Sequence, residues 1–180
     1  MPAVPAGEAT AEAIRDRFGN QLTVTRPGPT QAISRLTTPH GRWVDFTYVT
    51  FNGWRYLTEA RDNLGRVVSY TYDFGSGTGR LVTVTDAAGG VTAYTYDSAH
   101  RIVTITDARG LVFLTNLYGA GGRVDRQTQA DGTTFQFAYT VDGSGKVTQT
   151  DVTGPRGDLR RVTFNADGYG LSDTLALTQP

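Results

Sequence analysis

Apolar and polar residues alternate along most of this chain with a period of two, in short runs broken by turn-forming residues. Successive side chains of a strand point to opposite sides, so the alternation sorts them into faces. In "LVTVTD" Val82 and Val84 share one face, and Thr83 and Thr85 the other. Val103 and Ile105 repeat this against Thr104 and Thr106; Tyr70 pairs with Tyr72 on one face, as does Tyr94 with Tyr96. Between the runs stand "DAAG", "DARG", "DFGSGTGR" and "DSAHR". Strands of about six residues joined by such short turns are antiparallel neighbours, because a parallel crossover needs a dozen residues or more.

The pattern repeats. Gly41, Gly65, Gly89, Gly132 and Gly157 are each followed seven residues later by an aromatic: Tyr48, Tyr72, Tyr96, Tyr139 and Phe164. Gly110 leads to Leu117, with Tyr118 one step beyond, and Gly19 opens a degenerate copy with Arg26 at the aromatic position. The intervals between these glycines are 22, 24, 24, 21, 22 and 25 residues, which makes about seven copies. A second marker lies eight residues before the glycine: Ile33, Leu57, Leu81, Ile102 and Val124. A lone hairpin cannot bury its apolar face, so successive hairpins must share a sheet. The expected fold is all-β, antiparallel hairpin repeats forming one continuous, curved sheet of roughly a dozen strands. Residues 19–180 are expected to form this repeat domain. Residues 1–18 read as a linker or N-terminal edge segment, in which "GEATAEAIRDRF" is the one stretch with helical character.

Composition agrees. Of 17 acidic residues 14 are Asp and only Glu8, Glu12 and Glu59 are Glu. Asp favours turns, where its short carboxylate bonds nearby N–H groups, and Glu favours helix. The charges balance at 17 against 17, so nothing points to nucleic acid or an anionic membrane. There is no Cys, which excludes disulfides and thiol chemistry. No run approaches the roughly 20 apolar residues of a membrane helix. The start, "MPAVPAGEATAEAI", lacks the basic and apolar regions of a signal peptide.

Tyr70-Thr71-Tyr72-Asp73 followed by Gly79-Arg80-Leu81 and Thr85-Asp86, then Tyr94-Thr95-Tyr96-Asp97 followed by Arg101-Ile102 and Thr106-Asp107, resemble the YD-repeat, or Rhs-repeat, family. The likeness extends loosely over residues 19–168; His100 replaces the glycine usual before Arg, and "DFGSGTGR" is longer than the usual turn. The resemblance implies a β-sheet strip that winds spirally into a shell. Bacterial Rhs and toxin-complex shells enclose a C-terminal toxin, and animal teneurins carry a related shell. By that resemblance the chain is a wall segment, a partial β-shell, of a secreted or surface-delivered bacterial polymorphic toxin, without catalytic activity. Its partners would be other segments of the same shell or its cargo. No "DPxG"-type core accompanies the repeats, so the resemblance assigns no self-cleavage.

Candidate chemistry is sparse. Asp62, Asp86 and Asp107 each open a "DxxG", and Asp73 and Asp97 each follow a Tyr; they recur with the turns, whereas a glycosidase needs two carboxylates across one cleft. His40 and His100, the only histidines, fall in expected turns, and no HExxH, GxSxG or paired-His spacing occurs. Ser98 lies two residues from His100 without an orienting acid. "GAGGRVD" (119–125) and "DGSGK" (142–146) lack the partners of calcium or phosphate loops and read as turns. No catalytic, cofactor or metal residue is therefore assigned. The aromatic stretch Trp43, Phe46, Tyr48, Phe51, Trp54 and Tyr56 reads mostly as sheet packing. Trp54, expected in the turn "FNGWR", is the one candidate ligand contact, and supports an alternative reading as a carbohydrate- or cell-surface-binding module. Gly41, Tyr48, Gly65, Tyr72, Gly89, Tyr96, Gly132 and Tyr139 are structural positions of the repeat. Unpaired edge strands leave edge-to-edge self-association as a further expectation.

Overall fold

The computed structural model describes residues 11–28 and 32–176. Fifteen strands follow one another: β1 (Ala13–Arg15), β2 (Gln21–Thr25), β3 (Arg35–Thr37), β4 (Trp43–Phe51), β5 (Trp54–Asp62), β6 (Val67–Asp73), β7 (Arg80–Thr85), β8 (Val91–Tyr96), β9 (Ile102–Thr106), β10 (Val112–Tyr118), β11 (Val124–Gln129), β12 (Thr134–Val141), β13 (Val147–Thr153), β14 (Leu159–Phe164) and β15 (Gly170–Ala176). The fold is all-β, with a single 3₁₀ turn at Ala120–Gly122 among the described residues. The chain divides into two compact units, Met1–Val91 and Thr92–Pro180. In the first, β1 to β7 pair in chain order, each antiparallel to the next. In the second, β8 to β15 do the same.

One expectation fails inside 1–18. Residues 13–15 form a strand paired with 21–23, not a helix, and Val24 N–H donates to Glu12 O at 2.8 Å. A helix this short is marginal alone, and pairing with β2 overrides its propensity. Residues 1–10 lie outside the described part.

Most turns share one geometry. In Asp86–Gly90 the Gly89 N–H donates to Asp86 O at 3.0 Å, and the Asp86 N–H to Gly90 O at 2.9 Å. The Asp86 carboxylate then accepts from the Ala88 and Gly90 N–H groups at 2.8 and 2.9 Å. The fourth residue must be left-handed: Gly89 has φ +86°, a region that costs a side chain about 1–2 kcal/mol. His100 occupies this position in the β8–β9 turn with φ +63°, so the substitution noted in the sequence keeps the turn at the cost of strain. β4 and β5 are joined differently, by the two-residue turn Asn52-Gly53, both with positive φ (49° and 80°).

Register assigns the faces. In the second unit Tyr94 pairs with Ile105, Ile105 with Leu114, Phe137 with Val152, and Val152 with Arg160. The other face carries Thr95 against Thr104, Thr115 against Thr128, and Asp151 against Arg161. In the first unit Val24, Leu36 and Val44 are successive partners on one face, while Arg35–Asp45 and Thr71–Thr83 occupy the other. Each unit thus has an apolar and a polar face. Yet among the described residues the only buried apolar side chain is Val24, at 8% exposure. Within each unit, the sheet does not supply its own second layer.

Candidate functional site

The repeat's aromatic residue is the centre of a recurring node. The Tyr48 hydroxyl donates to Ile33 O at 2.9 Å, Tyr72 to Leu57 O at 2.8 Å, and Tyr139 to Val124 O at 2.9 Å. Each acceptor is the second sequence marker, fifteen residues upstream. A β-bulge sits at or next to each of these aromatics, between Thr47 and Tyr48, Thr71 and Tyr72, and Thr140 and Val141. The extra residues, Thr58, Val82 and Thr148, belong to the following strand, so the bulge raises the twist of the hairpin beside the ring, while the ring itself turns back to the preceding strands. Burial raises the pKa of Tyr48, Tyr72 and Tyr139, as suits a hydroxyl kept protonated to donate.

The slipped copy is mended by the same device. A register shift between Val112 and Leu114 takes up the extra residue, and the Tyr118 hydroxyl reaches Ile102 O at 2.7 Å, sixteen residues back. Its strand carries Asn116 where other copies have an aromatic; the Asn116 amide also donates to Ile102 O (3.0 Å) and accepts from Gln127 (3.0 Å).

The motif's Asp and Arg complete the node. Asp97 pairs with Arg101 at 2.6 Å, and Asp73 with Arg80. The Arg101 guanidinium lies over the Tyr118 ring at 4.3 Å, and Arg123 over Tyr139 at 5.8 Å. The Asp pKa values move accordingly. Arg101 holds Asp97 below the ordinary carboxylate range, Arg66 does so for Asp62 and Arg109 for Asp107, while Asp73 is lowered first by the Gly75 N–H and then by Arg80. These carboxylates are fixed as anions by turn and ion-pair partners, the opposite of what a general acid requires. No group of three or more His, Asp or Glu among the described residues is arranged to hold a metal ion. His40 lies in the turn between β3 and β4, and His100 shares the β8–β9 turn with Ser98, where the Asp97 carboxylate is taken up by the Ala99 and Arg101 N–H groups and the Arg101 guanidinium.

The non-periodic residues gather elsewhere, in the first unit. The β4–β5 hairpin and the long loop at 74–79 lock together: Asn52 Nδ2 donates to Gly77 O, and the Gly79 N–H to the Tyr56 hydroxyl, both at 3.0 Å. Phe51 and Phe74 rings meet at 4.5 Å, and Tyr56 lies 5.2 Å from both Tyr72 and Phe74. A side chain at Gly79 would collide with the Tyr56 ring, so glycine is required there by close approach. Trp54 stands beside this corner. It opens β5 opposite Phe51, in the strand and not in the turn where the sequence places it, because Asn52-Gly53 alone reverses the chain. It is 72% exposed and enters none of the ring contacts of the corner. Trp43 instead lies under the Arg35 guanidinium at 4.4 Å. The corner's only sequence signals were a loop, "DFGSGTGR", longer than "DSAHR", and beside it a hairpin whose two strands run to nine residues each.

Residues 76–112 match the family model described as RHS Repeat. No curated protein matches. Among solved structures, the chain is similar to the Photorhabdus luminescens Tc holotoxin pore carrying the mutation TccC3-D651A, at 11% identity and a TM-score of 0.41, with 91% of this chain and 12% of that one covered. It is also similar to TcdB2-TccC3-TEV, at 11% identity and a TM-score of 0.33, with the same coverage. The chain therefore spans about an eighth of the length of either.

Proposed function

We propose that this chain, a segment of the Rhs/YD-repeat family, is a length of wall in a bacterial polymorphic-toxin shell that encloses or presents another polypeptide. The observation that carries the reading is the uncovered apolar face. Each unit gathers aliphatic and aromatic cross-strand partners on one side of a sheet, yet Val24, in the first unit, is the one buried apolar side chain among the described residues. A sheet with an apolar face needs a second layer. In this reading neighbouring shell segments and cargo provide it, and the chain acts sterically, without catalysis, in a secreted or cell-surface protein. The recurrent node supports the same reading, since a wall needs many equivalent joints and no singular site.

Hydroxyl-radical footprinting tests the proposal. Tyr70, Tyr94, Phe137 and Leu114 should label several-fold more slowly in the parent polypeptide than in the isolated chain. Equal labelling would sink it. A second reading, binding of a glycan or cell-surface ligand, rests on Trp54 and its 72% exposure. A glycan array with the chain and its Trp54→Ala variant separates the two: specific binding lost with the indole supports the second reading. Edge-to-edge pairing through β15, all of whose residues are exposed, belongs to the first reading and would appear as concentration-dependent mass in light scattering.

A further inference from the structure

The apolar face of the second unit holds an open cavity of about 310 Å³, lined by Gln127, Phe135, Phe137, Val152, Gly154, Asp158, Arg160 and Leu175. Its floor is a row of direct cross-strand partners. Phe137 pairs with Val152, Val152 with Arg160, and Arg160 with Leu175; Phe135 pairs with Gln127 beside them. The two charges at the cavity differ in their commitments. Arg160 is bound by Asp173 through two hydrogen bonds of 2.9 and 2.5 Å. Asp158 is half-buried and has no side-chain hydrogen bond or ion pair among the described residues, unlike Asp97, Asp107, Asp151 and Asp173. Gly154 makes room for it, because a Cβ there would fall 2.7 and 2.8 Å from the two carboxylate oxygens.

A half-buried anion beside an apolar floor is incomplete. The floor calls for an aromatic or aliphatic side chain, the carboxylate for a cation, and phenyl rings also accept cations on their faces. The row runs across the strands, so an occupant that touches both Leu175 and Phe137 must be extended. We propose that this groove binds an extended polypeptide segment in which Lys or Arg residues alternate with aromatic ones, the cation meeting Asp158 and the ring resting on Phe137 and Val152. This rests on the wall reading and names the chemistry of what the wall holds at this place.

Titration with the peptide acetyl-Lys-Phe-Lys-Phe-Lys-amide, followed by backbone amide NMR of the whole chain, tests it. Saturable shifts are expected around Phe135, Phe137, Val152 and Asp158. The peptide with Glu in place of Lys should bind at least about tenfold more weakly, and the Lys/Ala peptide should also fall off. Asp158→Asn should weaken the Lys/Phe peptide about three- to tenfold and leave the Glu/Phe peptide no weaker than before. Gly154→Ala, whose backbone is not in the left-handed region, should act in the same direction by displacing the carboxylate. An unchanged amide spectrum outside the groove would show that both variants are folded. The proposal is overturned by an absence of saturable shifts to about 5 mM, by equal binding of Lys and Glu peptides, or by an Asp158→Asn variant that binds like the parent. It is overturned too if 2-phenylethylammonium alone binds as tightly as the pentapeptide, which would make the site one for small amines. Footprinting of the parent polypeptide reads the wall independently, so either reading can fail without the other.

Discussion

Strand β7 is entered through one connection and left through another, and the two are built on different principles. On leaving, the Asp86–Gly90 turn closes on itself, with every hydrogen bond spanning four residues or fewer. On entering, the loop before Arg80 is held by Asn52 and Tyr56, over 20 residues earlier in the chain. The first is a module that any repeat can carry. The second exists only because the long β4–β5 hairpin and the loop at 74–79 both extend far enough to meet. Periodic turns set the register of the sheet, whereas the corner ties two hairpins into one body and holds Trp54 out beside them.

Acid should break the comparison most severely. Turn and node carboxylates, among them Asp62, Asp97, Asp107 and Asp142, have pKa values lowered in the folded chain by arginines, serine and backbone N–H groups. A depressed folded pKa contributes stability above the unfolded value, about 3.9, and that contribution is lost as pH falls below it. Many turns lose their support together, so the melting temperature should drop steeply below about pH 4. A melting curve flat from about pH 5 to 3 would contradict the role given to these carboxylates. The raised Tyr48, Tyr72 and Tyr139 act oppositely, and their contribution should fade as pH rises past about 10.

Next in size is Gly79→Ala, expected to cost about 2–3 kcal/mol through overpacking against Tyr56. Gly89→Ala meets open space and should cost only about 1–2 kcal/mol, from its left-handed φ alone. Urea unfolding followed by the fluorescence of Trp43 and Trp54, both in the first unit, ranks the pair; the reverse order would dissolve the distinction between corner and turn. Tyr72→Phe and Tyr139→Phe each remove one donor from a node, and each should cost about 1 kcal/mol. Amide exchange near Leu57 or Val124 reads the effect, and unchanged protection would mean that the hydroxyl is ornamental. Smallest is His100→Gly. It relieves the left-handed strain but gains unfolded-state entropy, leaving a net stabilisation of about 0.5 kcal/mol; a loss of stability would show that the His100 side chain has contacts of its own.

The hairpins, their faces and the spacing of Tyr72 or Tyr139 were legible because they depend on interactions between sequence neighbours or on a period. The acceptor of each tyrosine was legible only as a marker without a role. That Leu57 or Val124 offers a carbonyl appears only once the strands are paired and the ring turned back across them, and neither the pairing nor the bulge beside the ring has a letter of its own. Trp54 was found by being out of period, but its position in the strand depends on Asn52 and Gly53 both adopting positive φ. The corner was hidden for a plainer reason: Gly79 and Tyr56 are one ordinary glycine and one ordinary tyrosine until the fold brings them together. The same holds for Asp158, one Asp among 14, set apart by being half-buried without a side-chain partner among the described residues.

The bulge at Phe113 has a wider consequence. Copies range from 21 to 25 residues, and in a sheet whose side chains alternate strictly, one surplus residue would turn every later strand inside out. Here the surplus is ejected where it occurs, and Tyr118 finds its acceptor as though nothing had been added. Each copy restarts the count. A strip made this way can lengthen, drift and gain or lose residues for many copies while its errors stay local, so the phase of the whole never depends on the fidelity of any one part.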